Sequence, residues 1–204
     1  MDTSLFPTKG NLIQAQNTLR LSRQGYELLD KKRNILIREM MALIARADEI
    51  QSQIDSTFHE AYQALQAANI TIGISTVEQI GYAVPEDDGV DVKFRSIMGV
   101  EIPMVSYDNY ELQPRFGFYR TSAALDEAYT KFDKVKRLTI QLAEIENAVY
   151  RLASNIKRTQ KRANALKNIM IPRYEQLTSS IQNALEEKDR EEFTRLKVIK
   201  NIKS

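Results

Sequence analysis

A seven-residue hydrophobic repeat runs through each end of the 204-residue chain. Stepping by seven from Leu12 meets Leu19, Tyr26, Arg33, Met40, Ala47, Ile54, Ala61 and Ala68. The companion series is Ala15, Ser22, Leu29, Leu36, Leu43, Ile50, Thr57 and Ala64, and fourteen of these seventeen positions are apolar. The second half repeats the pattern with Val135, Leu142, Val149, Ile156, Ala163, Met170, Leu177 and Ala184, partnered by Leu138, Ile145, Leu152 and Leu166. A seam so narrow and so long specifies helices wound on each other rather than a globular core. The expected fold class is mainly α. The N- and C-terminal helices form a long antiparallel two-helix coiled coil, with a small β-hairpin region in the middle of the chain.

Local signals set the boundaries. Thr8, after Pro7, suits a helix cap, and the first helix is expected to reach about Ala68 and end by Gly73. Gly25 lies inside it at a cost of ~1 kcal/mol relative to alanine. The second helix is expected to start near Ser122, with Asp126 and Glu127 at the positive end of its dipole. No glycine follows Gly117, so it can run almost to Lys203, with a kink at Pro172. At ~1.5 Å per residue the helices span about 95 Å and about 120 Å. Folding back leaves the chain from about Ala184 onward projecting past its partner.

Between them, Val90–Ile97 alternates as a strand should, Met98-Gly99 makes a turn, and Val100–Val105 returns antiparallel. A lone ribbon of two strands is marginal in water, so it must lie against the helices or a partner. The organisation is residues 1–72, an N-terminal coiled-coil helix; 73–121, an irregular segment with the hairpin at about 90–106; and 122–204, a C-terminal coiled-coil helix.

Composition narrows the function. Cysteine is absent, which removes thiol chemistry and disulfides. No apolar stretch approaches the roughly 18 residues needed to cross a bilayer, and the first residues lack the features of a secretory signal. A soluble, cytoplasmic protein without direct membrane insertion is expected. Basic and acidic residues nearly balance, 29 against 27. That gives no global attraction to nucleic acid.

Chemistry-bearing motifs are scarce. Thr8-Lys9-Gly10 lacks the order of a phosphate-binding loop. His59 is the only histidine and sits beside Glu60 on a polar helical face, without further metal ligands. Glu86-Asp87-Asp88-Gly89 has half the acids of a calcium loop and no distal glutamate, which fits a solvated turn. No serine or threonine has a candidate base. Neither a catalytic site, nor a metal, nor a cofactor is expected.

Charge placement says more than charge number. No acid occurs between Glu146 and Glu175, where Arg151, Lys157, Arg158, Lys161, Arg162, Lys167 and Arg173 supply seven cations. In a folded-back pair this stretch lies near Lys31, Lys32 and Arg33. The tail adds Arg195, Lys197, Lys200 and Lys203 with no acid after Glu192. A solvated basic face and an acidic protein partner both fit. Nucleic acid fits poorly, because interleaved aromatics are lacking. Arg33 occupies a seam slot, where it can snorkel or pair with a carboxylate on the opposite helix, and polar seam residues fix register.

Short blocks stand out along the whole chain: Pro7-Thr8-Lys9 with Leu12, Gly25-Tyr26-Glu27-Leu28-Leu29 and Lys31-Lys32-Arg33. Gly99-Val100-Glu101-Ile102-Pro103, Leu125-Asp126 and Leu142-Ala143-Glu144-Ile145-Glu146 come next. The most specific block is Lys161-Arg162-Ala163-Asn164-Ala165-Leu166 with Ile171-Pro172. Leu185-Glu186-Glu187 and Phe193-Thr194-Arg195-Leu196-Lys197 follow. Together these residues resemble the D subunit of the rotary V-type and A-type ATPases. Lys167, Asp30 and Asn34 depart from the residues usual in that family.

The resemblance implies a non-catalytic rotor component of the central stalk. Its terminal helices would enter a ring of alternating catalytic and regulatory subunits. The other end would engage the small F subunit of the stalk and an adaptor on the membrane ring, peripheral to the cytoplasmic side of the membrane. An asymmetric shaft biases each nucleotide site by the face it presents, so rotation couples ATP hydrolysis or synthesis to ion translocation. The surface expected to meet the ring comprises Lys9, Arg20, Arg23, Lys157, Arg158, Lys161, Arg162, Asn164 and Arg173, with Lys197 and Lys200 on the tail. Met98, Val100, Ile102 and Val105 are expected to meet the other stalk components. A prefoldin-like coiled-coil chaperone, or another coiled-coil scaffold, is the alternative. It predicts a hexamer and apolar tips, whereas the tip here is basic. A membrane-curving dimer would need a concave basic face and a third helix.

Overall fold

The computed structural model describes residues 6–84, 89–107, 116–117 and 121–203. The acids of the expected turn at Glu86–Asp88 lie outside the described residues. The element order is α1 (Lys9–Ile72), α2 (Ile74–Ala83), β1 (Val90–Ile97), β2 (Val100–Tyr107), α3 (Ala123–Ala165), a π-helical turn (Leu166–Met170) and α4 (Ile171–Lys203). These elements make two units. The terminal unit holds residues 1–35 and 156–204, and the central unit holds residues 36–155.

The heptad seam is the inward face. Each of the seventeen N-terminal seam positions is buried or half-buried, and none is exposed. In the second series Val135, Ile145, Leu152 and Ala163 are buried, and burial ends at Ile181. The helix ends follow from their caps. At the start of α1, Asn11 N–H donates to Thr8 Oγ1 at 3.2 Å, and Asn11 Nδ2 donates back to the Phe6 carbonyl at 2.9 Å. These bonds satisfy a donor that the first turn leaves orphaned and fix the entry of the chain. At the other end Gly73 takes φ 88, a conformation that a side chain resists, and α1 stops at Ile72. Helix α2 then begins at once. Gly73 and Gly81 make this stretch look broken in sequence, yet Ile74, Val77 and Ile80 repeat at helical spacing. Helix α3 starts after Ser122, whose carbonyl accepts from Leu125 N–H at 2.9 Å. The Ser122 hydroxyl is buried without a partner, so it does not cap.

The central unit has an aliphatic core. Ile50 and Ile54 of α1 pack with Ile145 of α3, flanked by Leu43, Ala47, Phe58, Leu138, Leu142 and Val149. Burying each such isoleucine contributes ~1.5–3 kcal/mol before entropy is counted. Further along α1, Phe58 and Tyr62 meet the Phe132 ring edge-on at 6.4 and 5.5 Å. Outside them Lys131 Nζ lies 2.7 Å from Glu127 and 3.5 Å from Glu60. Residue numbers rise along α1 as they fall along α3, so the two helices are antiparallel here. The hydrogen bond from Glu127, with the charges of Glu127 and Glu60, holds the Lys131 ammonium above its ordinary pKa despite the opposing desolvation.

The terminal unit is also antiparallel: Arg23 bonds Glu175, and Tyr26 faces Lys167. Its buried side chains are mostly small: Ala15, Ser22, Thr159 and Ala163, with Ile181 the large exception. Arg33 fills its seam slot through polar bonds. Its Nη2 lies 2.6 Å from Asp30 of its own helix, and Nη1 donates to Gln160 Oε1 across the pair at 2.7 Å. The partner across the seam is therefore an amide, not a carboxylate. Gln160 Nε2 in turn donates to Asn164 Oδ1 at 2.8 Å.

Proline at 172 has no N–H to give and would crowd the carbonyl four residues back, that of Asn168. The backbone widens just before it. Ile171 N–H donates to the carbonyl of Leu166, five residues back, and the turn Leu166–Met170 is π-helical. Opposite this turn stands Gly25, where an added Cβ would lie 3.5 Å from Leu166 Cδ1.

Candidate partner-binding surfaces

The hairpin is a ladder of eight pairs from Val90↔Tyr107 to Ile97↔Val100. Met98 and Gly99 have φ 50 and 76, both left-handed, which gives the two-residue turn that matches strand twist. The pair closing such a turn is hydrogen-bonded, so pairs alternate from it and every second residue turns its backbone groups outward. On β2 the outward residues are Glu101, Pro103, Val105 and Tyr107. Pro103 thus lacks an N–H where the ladder needs none. Helix α3 satisfies its neighbours: Val105 N–H donates to Glu144 Oε2 at 3.1 Å, and Arg151 Nη1 donates to the Glu101 carbonyl at 3.3 Å. The Arg151 guanidinium also lies over the Phe94 ring, 5.2 Å from its centre. One edge of the ribbon is therefore held by α3, which answers its marginal stability.

Of the four hairpin residues expected to meet stalk components, Met98 is exposed and Val105 half-buried, whereas Val100 and Ile102 are 5% and 2% exposed. The exposed apolar residues of the ribbon are instead Val90, Val92, Phe94, Met98 and Met104. Alternation in β1 is visible in sequence, but which face it buries is not. Helix α2 is a second surface missed by sequence reasoning. None of its residues is buried, and Ile74 and Tyr82 are 72% and 81% exposed.

The residues expected to meet the ring, ten cations and Asn164, all lie in the terminal unit. Lys9, Arg20, Arg23, Lys157, Arg158, Lys161, Arg162, Asn164, Arg173, Lys197 and Lys200 fall within its two segments, and every one of them is exposed. Arg23 is drawn to Glu175 at 2.6 Å, and Arg20 leans on Asn17 at 3.4 Å. Lys9 is the first residue of α1, where the positive helix end disfavours a cation, so it does not stabilise the helix that carries it. The terminal unit carries 18 basic and 9 acidic residues, and the central unit 11 and 18. Near-neutrality of the whole thus conceals charges of +9 and −7 on the two units.

Seventeen residues separate Lys9, where α1 begins, from Tyr26, and seventeen beyond Lys167 lies Ala184. Past that point α4 has no α1 to face. From Glu186 to Ile202 every residue is exposed, including Phe193, Leu196, Val198, Ile199 and Ile202. Among the described residues no helix is long and apolar enough to cross a membrane, and no group of three histidine or acidic side chains gathers as metal ligands. His59 is exposed, with Nε2 2.9 Å from the Gln63 amide.

Residues 11–201 match the family model of the ATP synthase D subunit. The chain belongs to this family. It is 45% identical over 197 residues to the V-type ATP synthase D subunit of Thermotoga neapolitana, covering 97% of each chain. It is 38% identical to the A-type D subunit of Methanopyrus kandleri, covering 96% of this chain and 85% of that one. With the A-type D subunit of Pyrococcus furiosus it shares 34% identity, over 96% and 93%. Membership of the family accounts for a likeness that runs through both terminal helices and the hairpin between them, the segments that carried the resemblance in sequence.

Proposed function

We propose that this D subunit is the non-catalytic rotor of the central stalk in a V/A-type ATPase, coupling ATP hydrolysis or synthesis in the catalytic ring to ion translocation through the membrane ring. The observation that carries the reading is the tail of α4: a helix that leaves its partner near Ala184 and continues wholly exposed, ending in Arg195, Lys197 and Lys200. Phe193, Leu196, Val198, Ile199 and Ile202, exposed together on one helix, mark a surface suited to a partner. A ring of catalytic and regulatory subunits around the terminal unit would do so. Its +9 charge would meet acidic surface there at contact distances, where screening over ~10 Å still leaves attraction. Differential contacts around an uneven tip would then bias the nucleotide sites in turn.

The central unit is the part suited to the other stalk components. Exposed α2 offers an apolar surface for the membrane-ring adaptor, and the hairpin with Met98 offers one for the small F subunit. The complex would hold the chain at the cytoplasmic side of the membrane. Reconstitution with the ring subunits tests the proposal. Replacing Lys197 and Lys200 together by alanine is expected to weaken coupled turnover while leaving helicity and melting temperature unchanged. Unchanged assembly and turnover in that double variant would overturn the assignment. A hexamer of the chain alone would instead favour a prefoldin-like chaperone.

A further inference from the structure

The two edges of the hairpin are unequal. That of β2 is closed by Glu144, Arg151 and Pro103. That of β1 is open: in the alternation set by the Ile97↔Val100 pair, the N–H and C=O groups of Val92, Phe94 and Ser96 turn outward. Among the described residues none of these three has a hydrogen-bond partner beyond the ladder. Residues from Asp91 to Ser96 are all exposed. An eight-residue open edge with exposed valines and phenylalanine is one that folded proteins ordinarily shorten, cover or interrupt. Asp91, Lys93 and Arg95 put charge on one of its faces, but no proline, glycine or bulge interrupts it.

We propose that β1 is a strand-addition site, and that its occupant is an extended segment of another protein alternating apolar with acidic residues. Outward donors and acceptors spaced two residues apart match only an extended backbone. The two faces of β1 state the side chains. On one face Val90, Val92 and Phe94 line an open groove of ≈ 330 Å³ with Ile140 of α3, and its charged members, Glu144 and Arg151, are already bonded to β2, so its free lining takes apolar residues. The other face carries Asp91, Lys93 and Arg95. Asp91 is matched by Lys93 at 3.5 Å, which among the described residues leaves exposed Arg95 as the unmatched charge of the strand. Cross-strand neighbours of opposite charge favour pairing and like charges oppose it. A second copy of this chain would bring the excess positive charge of Arg95 to the edge twice. An acidic strand is complementary. This inference rests on the hairpin alone and stands apart from the rotor reading.

The test uses the full chain and two synthetic peptides of about eight residues, the usual reach of a strand, one alternating valine with glutamate and one alternating valine with lysine. Amide exchange is followed at the outward residues Val92, Phe94 and Ser96, and at Lys93 and Arg95 within the ladder. At millimolar concentrations the glutamate peptide is expected to slow the outward amides at least ~10-fold and leave the ladder amides unchanged. Arg95→Glu is expected to weaken that peptide about 10-fold without disturbing the ladder. Val92→Pro, which removes an outward N–H as Pro103 does on β2, is expected to abolish binding while Lys93 and Arg95 keep their protection. No slowing at saturating peptide, or equal slowing by the lysine peptide, overturns the proposal. So does a dimer of the chain alone that Val92→Pro dissolves, because the edge would then belong to a second copy.

Discussion

The two units share an antiparallel seam and little else. In the central unit small residues such as Thr57, Ala61, Ala64 and Ala148 are buried beside large ones, Leu36, Ile50, Ile54, Val135, Ile145 and Leu152, edged by the Phe58, Tyr62 and Phe132 rings, and the unit is acidic. In the terminal unit the buried positions are Ala15, Ser22, Thr159 and Ala163 with Ile181, the Arg33 guanidinium crosses the seam to one amide, Gln160, and the unit is strongly basic. Stabilisation scales with apolar area removed from water. The central unit therefore holds the fold, while the terminal unit closes on small side chains and carries like charges that repel.

The largest expected effect separates the two seams directly. Leu152 is 0% exposed, and Leu152→Ala should cost about 4 kcal/mol in urea unfolding, within the ~2–5 kcal/mol range for such truncations. Ile181→Ala in the terminal unit should cost nearer ~2 kcal/mol, because solvent begins one turn beyond it. Equal losses would break the comparison. Native-state hydrogen exchange should sharpen it, with α1 amides before Ile35 opening at lower free energy than those from Leu43 to Ala64. Thr8→Ala should remove ~1 kcal/mol of helix-end stability, read as faster exchange over the first turn of α1 only.

Two substitutions should stabilise, by ~0.5–1 kcal/mol each, one in each unit. Gly25→Ala adds helix propensity at a site where the new Cβ makes an ordinary contact with Leu166. Met98→Asn places in the left-handed turn a residue that tolerates it better. Melting temperature checks both, and a loss in either would mean that the backbone there is set by packing. The smallest effect is that of Lys131. Its folded-state pKa is raised, so its stabilisation is complete below the unfolded value of 10.5 and is lost as pH rises through the higher folded value. Lys131→Met should flatten that alkaline loss, measured by thermal melts above pH 10.5.

Much of the architecture was legible because helix and strand periods are fixed by backbone geometry. A 3.6-residue helix leaves one face at every seventh residue, so Leu12 to Ala68 had to point inward together, Arg33 included. Ile97, Met98, Gly99 and Val100 likewise set the turn and, through it, every pair of the ladder. Helix α2 was less legible, since Gly73 and Gly81 signal breaks and only the tertiary fold shows Ile74 resuming at once. The hairpin site was half legible. Both faces of the ribbon carry apolar residues, Val92 and Phe94 on one and Val100 and Ile102 on the other, so alternation alone does not choose the buried one.

The sequence by itself determined that two long helices pair along one seam, that a two-residue turn joins two strands, and that the basic residues collect toward the chain ends. Those are local consequences of period, turn chemistry and order along the chain. Only the tertiary structure decided that Arg33 finds Gln160, that Pro172 is accommodated by a π-helical turn facing Gly25, and that α3 closes one edge of the ribbon and leaves β1 open. Each of these depends on which atoms from distant parts of the chain arrive within bonding distance, and sequence spacing does not contain that information.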